Sequence, residues 1–493
     1  MASHVDHPPH VVMAVANPIV SDARVRKSAQ AVADLGYRVT LVWAAPDGGP
    51  AIEGDLNGVR TIGLPVPYHL HQWSQRRRAE RGRRPIFALG LGYASAERRR
   101  AQAALLAVRR SRLGGAAPGF GLRAAMAVHR LRSKVFSLLQ AARLKRAAAR
   151  RAKLAWQDEL TNIADLEGVF TPWLTRLEPD ILHLHDIHLL GAGVNAKRAL
   201  RARGRQVKLI YDAHEYVADM GEVDPAKGRA FAAMERELVA EADGVETVSD
   251  PIADRLEREL ALSRRPTVVL NTPLRAAGQD RVGGPDLRAQ IGLPPETPLV
   301  VYAGVLHTNR NLVALIEAVK LLPEVHLALV CVPNAHYPVA RQLGARAAEL
   351  NLADRVALVE PVAPEELIGF LSSATMGIHP MALGLANHEM ALPNKLFDYV
   401  WAGLPVAVSR LKTMGDFVAE TGVGVTFDPE DRQSIADAIG EIVGNRQAYA
   451  DRARDPKVKD RYCWEVQAAK LADLYRSVAG PDPSAKLSPG QRT

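Results

Sequence analysis

Short apolar runs alternate with helix-length amphipathic segments over most of the chain, the signature of parallel α/β sheets. The first half predicts strand His10–Ala16, helix Ser21–Leu35, strand Tyr37–Ala44 and strand Val59–Val66. After an interruption come a helix over Leu154–Leu177, strand Asp180–His185, a helix near Gly193–Arg203 and strand Lys208–Asp212. Helix Ala226–Ala242, strand Val245–Val248, a helix from Pro251 and strand Thr267–Leu270 close that half. A second series begins with strand Leu299–Ala303, helix Asn311–Leu322, strand His326–Val332, helix Ala340–Leu350 and strand Val356–Val359. It continues through strand Met376–His379, helix Pro393–Ala402, strands Val406–Ser409 and Val423–Phe427, helix Arg432–Val443 and a last helix, Tyr462–Val478.

These patterns divide the chain into a first domain over 1–272, a linker over 273–298 crowded with Pro and Gly, and a second domain over 299–460. A closing helix over 461–479 and a disordered tail over 480–493 follow. Two Rossmann-like halves place a ligand cleft beyond the carboxyl ends of their strands. The interruption, about 70–153, is of another kind. Of the 63 Lys/Arg in the chain, 22 lie between Arg76 and Lys153 against two acids, Glu80 and Glu97. The other 415 residues carry 41 Lys/Arg and 52 Asp/Glu, an acidic body bearing one basic insert. No apolar run approaches the roughly 20 residues that span a bilayer, and the start of the chain has no signal-peptide pattern. The two cysteines, Cys331 and Cys463, form no Cys-x-x-Cys pair, which speaks against a disulfide framework and a zinc knuckle. A cytoplasmic protein is expected.

The most informative stretch runs from His388 to Val406. Pro393 suits a helix start, which would leave the amides of Asn394, Lys395 and Leu396 as donors at a positive helix end. Lys395 adds a full charge there, and Asp398 shares its helix face, where a carboxylate can accept hydrogen bonds from vicinal hydroxyls. Taken alone, the same pattern also describes a surface helix with a Lys395–Asp398 ion pair. A second phosphate candidate is the strand-to-helix turn from Gly304 to Arg310, glycine allowing close approach and the guanidinium offering its fork of donors. A bare turn with an exposed arginine is the plainer reading of it.

The run Leu392–Val406, the Gly304…Arg310 loop and Asp22-Ala-Arg-Val-Arg-Lys resemble a family-4 retaining glycosyltransferase of the GT-B fold. So do Pro179-Asp-Ile-Leu-His-Leu-His-Asp and Leu209-Ile-Tyr-Asp-Ala-His-Glu-Tyr. The resemblance spans nearly the whole chain except the basic insert. It implies a nucleotide-sugar in the C-terminal half, an acceptor in the N-terminal half, Arg310 and Lys395 on the diphosphate, and Asp398 on the ribose. It also implies a cleft histidine touching the donor, His185 or His188 from the cluster after strand Asp180–His185, and a glutamate, Glu389. Two departures stand out. The family has two glutamates with seven residues between them, whereas eight lie between Glu389 and the shorter Asp398, and the family's arginine after the loop glycine is Val305 here.

No metal is expected, since the His/Asp spacing fits no closed zinc motif and GT-B enzymes generally dispense with one; no cofactor is expected either. Gly191-Ala-Gly-Val-Asn-Ala matches a dinucleotide fingerprint but stands several residues beyond its strand, so it reads as a small-residue packing surface. In the insert, Val128, Leu131, Val135, Leu138 and Ala142 form one apolar stripe among arginines and lysines. That is a basic amphipathic helix suited to an anionic membrane surface; a solvated arm comes second, and nucleic acid third for want of a recognisable module. The expected activity is transfer of a sugar from a nucleoside diphosphate to an acceptor hydroxyl, with the acceptor open and a lipid-linked or cell-envelope glycan favoured by the insert. The alternatives are a nucleotide-sugar epimerase of the same fold and a non-catalytic nucleotide- or membrane-binding protein.

Overall fold

The computed structural model describes residues 8–46, 49–83, 95–111, 117–151, 154–220, 224–278 and 284–486. The first domain is an eight-stranded sheet: β1 (His10–Val15), β2 (Arg38–Ala45), β3 (Ile52–Leu56), β4 (Val59–Pro65), β5 (Ile181–His185), β6 (Lys208–Ala213), β7 (Gly244–Thr247) and β8 (Thr267–Val268). Their order is β3-β4-β2-β1-β5-β6-β7-β8, parallel except for the antiparallel edge strand β3. The second sheet has β9 (Leu299–Val305), β10 (His326–Val332), β11 (Val356–Val359), β12 (Met376–His379), β13 (Val406–Ser409) and β14 (Gly424–Phe427). It is wholly parallel, in the order β11-β10-β9-β12-β13-β14. Central strands such as β1 and β5 are buried along their whole length, as helices on both faces of a parallel sheet require.

Helices α1 (Ala23–Asp34), α2 (His69–Arg83), α3 (Ala96–Ser111), α4 (Phe120–Arg151), α5 (Trp156–Glu159), α6 (Thr161–Arg176), α7 (Ile187–Ala202), α8 (Pro225–Leu238) and α9 (Asp250–Glu259) belong to the first half. The second half carries α10 (Leu287–Ile291), α11 (Leu312–Val319), α12 (Pro338–Glu349), α13 (Leu367–Leu371), α14 (Ala386–Met390), α15 (Asn394–Trp401), α16 (Lys412–Thr421), α17 (Arg432–Gly444), α18 (Arg446–Arg454) and α19 (Pro456–Tyr462). The last helix, α20 (Trp464–Ala479), crosses back, burying Trp464, Leu471, Leu474 and Tyr475 against β1 and α1 of the first domain.

Several expectations are corrected. The linker holds α10, whose Leu287 is buried in the second core, while residues 279–283 lie outside the described residues. The tail to residue 486 is folded: the Ser484 amide donates to the Leu35 carbonyl (3.2 Å) and Asp482 pairs with Arg476. The rest of the tail, 487–493, is outside the described residues. Helix α7 starts directly after β5, earlier than expected, so Gly191 and Gly193 fall inside it. A Cβ on Gly191 would meet the Glu167 carboxylate at 2.0 Å, and one on Gly193 the Leu184 side chain at 2.7 Å. These glycines serve helix packing.

The insert rises from the carboxyl end of β4, on the same sheet edge as the ends of β5 and β6. Its roots are pinned. The Asp165 carboxylate accepts the Leu70 and His71 amides that open α2, and the buried Glu159 takes both Arg78 of α2 and Arg151 of α4. Arg151 also reaches Asp224 at 2.7 Å. Between these roots α3 and α4 form an arm that buries Leu106 and Phe136 but exposes Phe120, Val128, Leu131, Leu138 and Leu144. Val135, expected on the open stripe, is half-covered. Insert residues 84–94, 112–116 and 152–153 lie outside the described residues. Among those described, no helix is long and apolar enough to cross a membrane.

Candidate active site between the two sheets

Strands β5 and β6 run side by side, pairing His183 with Ile210 and His185 with Asp212, so their ends deliver charge to one place. Arg24, entering from α1, holds Asp212 with two hydrogen bonds (2.9 and 2.8 Å), touches Glu246 of β7 (3.3 Å) and donates to the Val269 carbonyl. Burial alone would raise the Asp212 carboxyl, but Arg24 and His214 outweigh it and hold it well below the carboxylate range. Glu246 goes the other way: burial and repulsion from Asp212 push it up to about 8. His183 and His185 stack at 4.4 Å and are kept neutral by burial. Ligand atoms of His183, His185, Asp212 and Glu246 lie within 4.8 Å of one another. The donor set would suit a metal, yet Arg24 already sits on both carboxylates as the cation of this cluster.

Nearer the cleft stands His214. Its Nε2 is 2.6 Å from Asp212 and its Nδ1 3.3 Å from Asp186. Burial disfavours its charge, but Asp186 and Asp212 prevail and raise it to about 9, an imidazolium at neutral pH. Asp186 turns the chain from β5 into α7 at φ 66°, a conformation costing a non-glycine residue roughly 1–3 kcal/mol, and its amide donates to the Asp212 carbonyl. Glu215 follows His214 and feels Arg310 from the opposite domain.

Across the cleft the two phosphate candidates meet. At Gly304, φ is 147°, and a Cβ there would fall 1.9 Å from Lys395 Cε, so only glycine lets the lysine pass. Burial disfavours the charge of Lys395, Asp398 supports it and Arg310 opposes it, with a net lowering of the lysine's pKa. Arg310 Nη1 and both ring nitrogens of His379 are buried with no hydrogen-bond partner among the described residues. His379 stacks parallel on Tyr302 and stays neutral through burial beside these two cations. Burial pushes Asp398 up to about 6, opposed by Lys395 and by Lys27 of α1. Arg310 thus keeps one buried donor without a partner among the described residues, and Lys395 stands between it and Asp398.

The other expected residues divide. Pro393 is the cap of α15 rather than its first residue; exposed Asn394 opens the helix, while the Leu396 amide is taken by the Pro393 carbonyl and its side chain is core. His185 is wholly buried, its Nδ1 2.9 Å from Asp212, so it backs the site from beneath instead of facing the cleft. His188, in the first turn of α7, packs edge-on against Phe231. Glu389 does not turn to the two phosphate candidates: its carboxylate accepts the Lys412 amide at the start of α16 (3.0 Å). Sequence reasoning assigned no role to Arg24, Asp186, Asp212, His214, Lys27 or His379. All but His379 lie in motifs quoted for the resemblance, but nothing in their spacing shows which of them converge.

Residues 21–272 match the glycosyl transferase 4-like domain family and residues 297–445 the glycosyl transferases group 1 family. Curated relatives include the D-inositol 3-phosphate glycosyltransferase of Xylanimonas cellulosilytica, 25% identical over 340 residues, 67% of this chain and 74% of that one. Another, from Corynebacterium urealyticum, is 28% identical over 201 residues, 39% of this chain and 46% of that one. Among solved structures, sucrose-phosphate synthase from Thermosynechococcus elongatus superposes with a TM-score of 0.63 at 16% identity, covering 95% of this chain and 98% of that one. Anabaena HepE in complex with UDP and glucose gives 0.57 at 13% identity, over 94% and 98%. Two parallel sheets facing a shared cleft, with both halves matching family domains, make this chain a member of the family-4 glycosyltransferases of the GT-B fold.

Proposed function

We propose that this glycosyltransferase moves a hexose from a nucleoside diphosphate to an acceptor hydroxyl with retention, and that it does so without a metal. The observation that carries this reading is Arg310, whose buried Nη1 has no partner among the described residues, together with Lys395 passing over Gly304. Fixed cations aimed where charge develops on the departing diphosphate do the work of electrostatic stabilisation, and Asp398 would accept the ribose hydroxyls. On a single-face path the leaving phosphate oxygen takes the acceptor proton, while charged His214 on the opposite wall adds to the field on that phosphate. A thermal-shift panel of nucleoside diphosphates and nucleotide-sugars, with and without EDTA, tests the reading. A diphosphate at a hundred times its Kd should add about 2.7 kcal/mol of stability, and no shift with any of them overturns it.

For the acceptor we infer an anionic molecule carried at a membrane surface on the cytoplasmic side, as in lipid-linked or envelope-glycan synthesis. The insert supports this: it rises from the cleft edge, its roots are clamped, and its arm carries apolar side chains in the open among its arginines. A second reading, a soluble phosphorylated polyol, is favoured by the relatives named for D-inositol 3-phosphate. Transfer to inositol phosphate in the absence of any lipid would select it.

A further inference from the structure

Helix α14 touches both halves of the molecule through neighbouring residues that reach opposite ways. Toward the first domain, the Asn387 side chain accepts the Tyr216 amide (2.8 Å) and donates to the Tyr216 carbonyl (3.1 Å), while the Asn387 amide donates to the Asp219 carboxylate (2.7 Å). Tyr216 is itself fixed, its hydroxyl on Glu259 at 2.7 Å and Arg255 lying 4.1 Å over its ring. Met390 is buried in the first domain's core, with Ala386 packed against it. Toward the second domain, the Glu389 carboxylate holds the Lys412 amide, and its carbonyl takes the Thr413 hydroxyl (2.7 Å).

The chain on either side of α14 leads straight to ligand-bearing positions. Tyr216 follows Glu215, which faces Arg310. After α14 only Ala391 and Leu392 precede Pro393, the cap that sets the start of α15 and so the place of Lys395. Before α14 stands Gly384 at φ 80°, a bend that a residue with a Cβ resists. Opening of the cleft must break the three Asn387 hydrogen bonds and expose Met390, or else pull α14 off α16.

We propose that α14 is a clasp that holds the cleft closed, with Asn387 fastening it to the first domain and Glu389 to the second, and that Asn387 is a positioning residue for the nucleotide cradle. The proposal rests on the reading of Arg310 and Lys395 as that cradle. It also gives the displaced glutamate a job: Glu389 anchors the clasp. Where only part of the population is closed, apparent affinity falls by that fraction.

The test uses the full chain, with Asn387→Ala, Asn387→Asp and Asp219→Asn. The carboxylate introduced by Asn387→Asp cannot donate to the Tyr216 carbonyl and repels Asp219. Small-angle scattering without nucleotide should give a larger radius of gyration for both Asn387 variants than for the wild type, and a smaller increase for Asp219→Asn. Saturating UDP, GDP or ADP, whichever the wild type binds, should return all three to the wild-type radius. Calorimetry should show that diphosphate bound roughly tenfold more weakly by the Asn387 variants. A lesion that merely destabilises the fold would lower the melting temperature but leave the nucleotide-free radius unchanged. Unchanged scattering and affinity in folded variants overturn the clasp. Should the Asn387 variants fail to fold, Asp219→Asn alone decides by the same two readouts. If the wild type binds none of the diphosphates, the proposed function fails, while the nucleotide-free radii still judge the clasp.

Discussion

The two walls of the cleft handle buried charge in opposite ways. On the first domain's wall the strongest charges are paired: Arg24 lies on Asp212 and Glu246, and His214 between Asp212 and Asp186. On the second domain's wall Lys395 is divided between Asp398 and the opposing Arg310, and Arg310 Nη1 and His379 lack partners among the described residues. A buried ion with its counter-ion present is structure; a buried ion without one awaits a ligand. Substitutions on the two walls should therefore fail in different ways.

The largest effect should come from Arg24→Met. It takes from the buried Asp212 its two-hydrogen-bond cation, leaving only His214, and breaking such a buried pair from one side costs roughly 3–5 kcal/mol. Urea denaturation should show that loss, and a variant as stable as the wild type would mean that the wall does not depend on its pairing. Arg310→Ala should do the reverse, since it removes a cation with an unpartnered nitrogen and stability should hold, whereas Lys395→Ala also takes from Asp398 one of its two cations. In both, nucleoside diphosphate affinity should fall ten- to a hundredfold, the worth of a charge-assisted hydrogen bond of about 1.5–3 kcal/mol. Equal loss of stability on both walls would erase the distinction.

This contrast also marks what the sequence could reveal. The parallel strands were legible because each is a short apolar run, and the cradle because Gly304 to Arg310 and Pro393 to Asp398 are local motifs at strand and helix ends. The matched wall was not. Arg24 reaches Asp212 across 188 positions and Glu246 across 222, so no spacing announces it. Edge strand β3 is mostly exposed and carries no apolar run, and α14 is too short for helical periodicity to show. Position likewise decides His185, one of two histidines that the resemblance put in the cleft, yet wholly buried with its Nδ1 on Asp212.

The walls should also differ in their pH dependence. His214 has its pKa raised to about 9, above its unfolded value, so its contribution is complete below about 6.5 and is lost as pH rises through 9. Glu246, raised to about 8, works in the same direction, because the folded state must then give up a proton that the unfolded chain has already lost. Stability should therefore fall between pH 6.5 and 9, and His214→Gln should flatten that slope. Diphosphate affinity should instead weaken on the acid side, as Asp398 takes up a proton near pH 6. Calorimetry with Asp398→Asn should show no such acid limb; an acid limb that persists would move ribose recognition elsewhere.

The smallest effect, and the finest test of the rule, lies in the insert. Its root arginines Arg78 and Arg151 share the buried Glu159, as on the matched wall, whereas along the arm Arg98, Arg100, Arg109, Arg110, Arg123, Arg130 and Arg146 are exposed to water. Unmatched charge there should give only modest affinity for an anionic surface, about 1 kcal/mol per Lys or Arg engaged, screened beyond about 8 Å at physiological salt. The exposed side chains of Val128, Leu131, Leu138 and Leu144 add a component that salt does not screen. Replacing those four with Ser should leave stability and nucleotide affinity unchanged, since none of them packs in a core. Co-sedimentation with vesicles rich in anionic lipid should decline with salt for the wild type but leave residual binding at high salt, and the four-Ser variant should lose that remainder. If the wild type ignores anionic vesicles even at low salt, the arm is a solvated extension, and the soluble phosphorylated acceptor takes precedence.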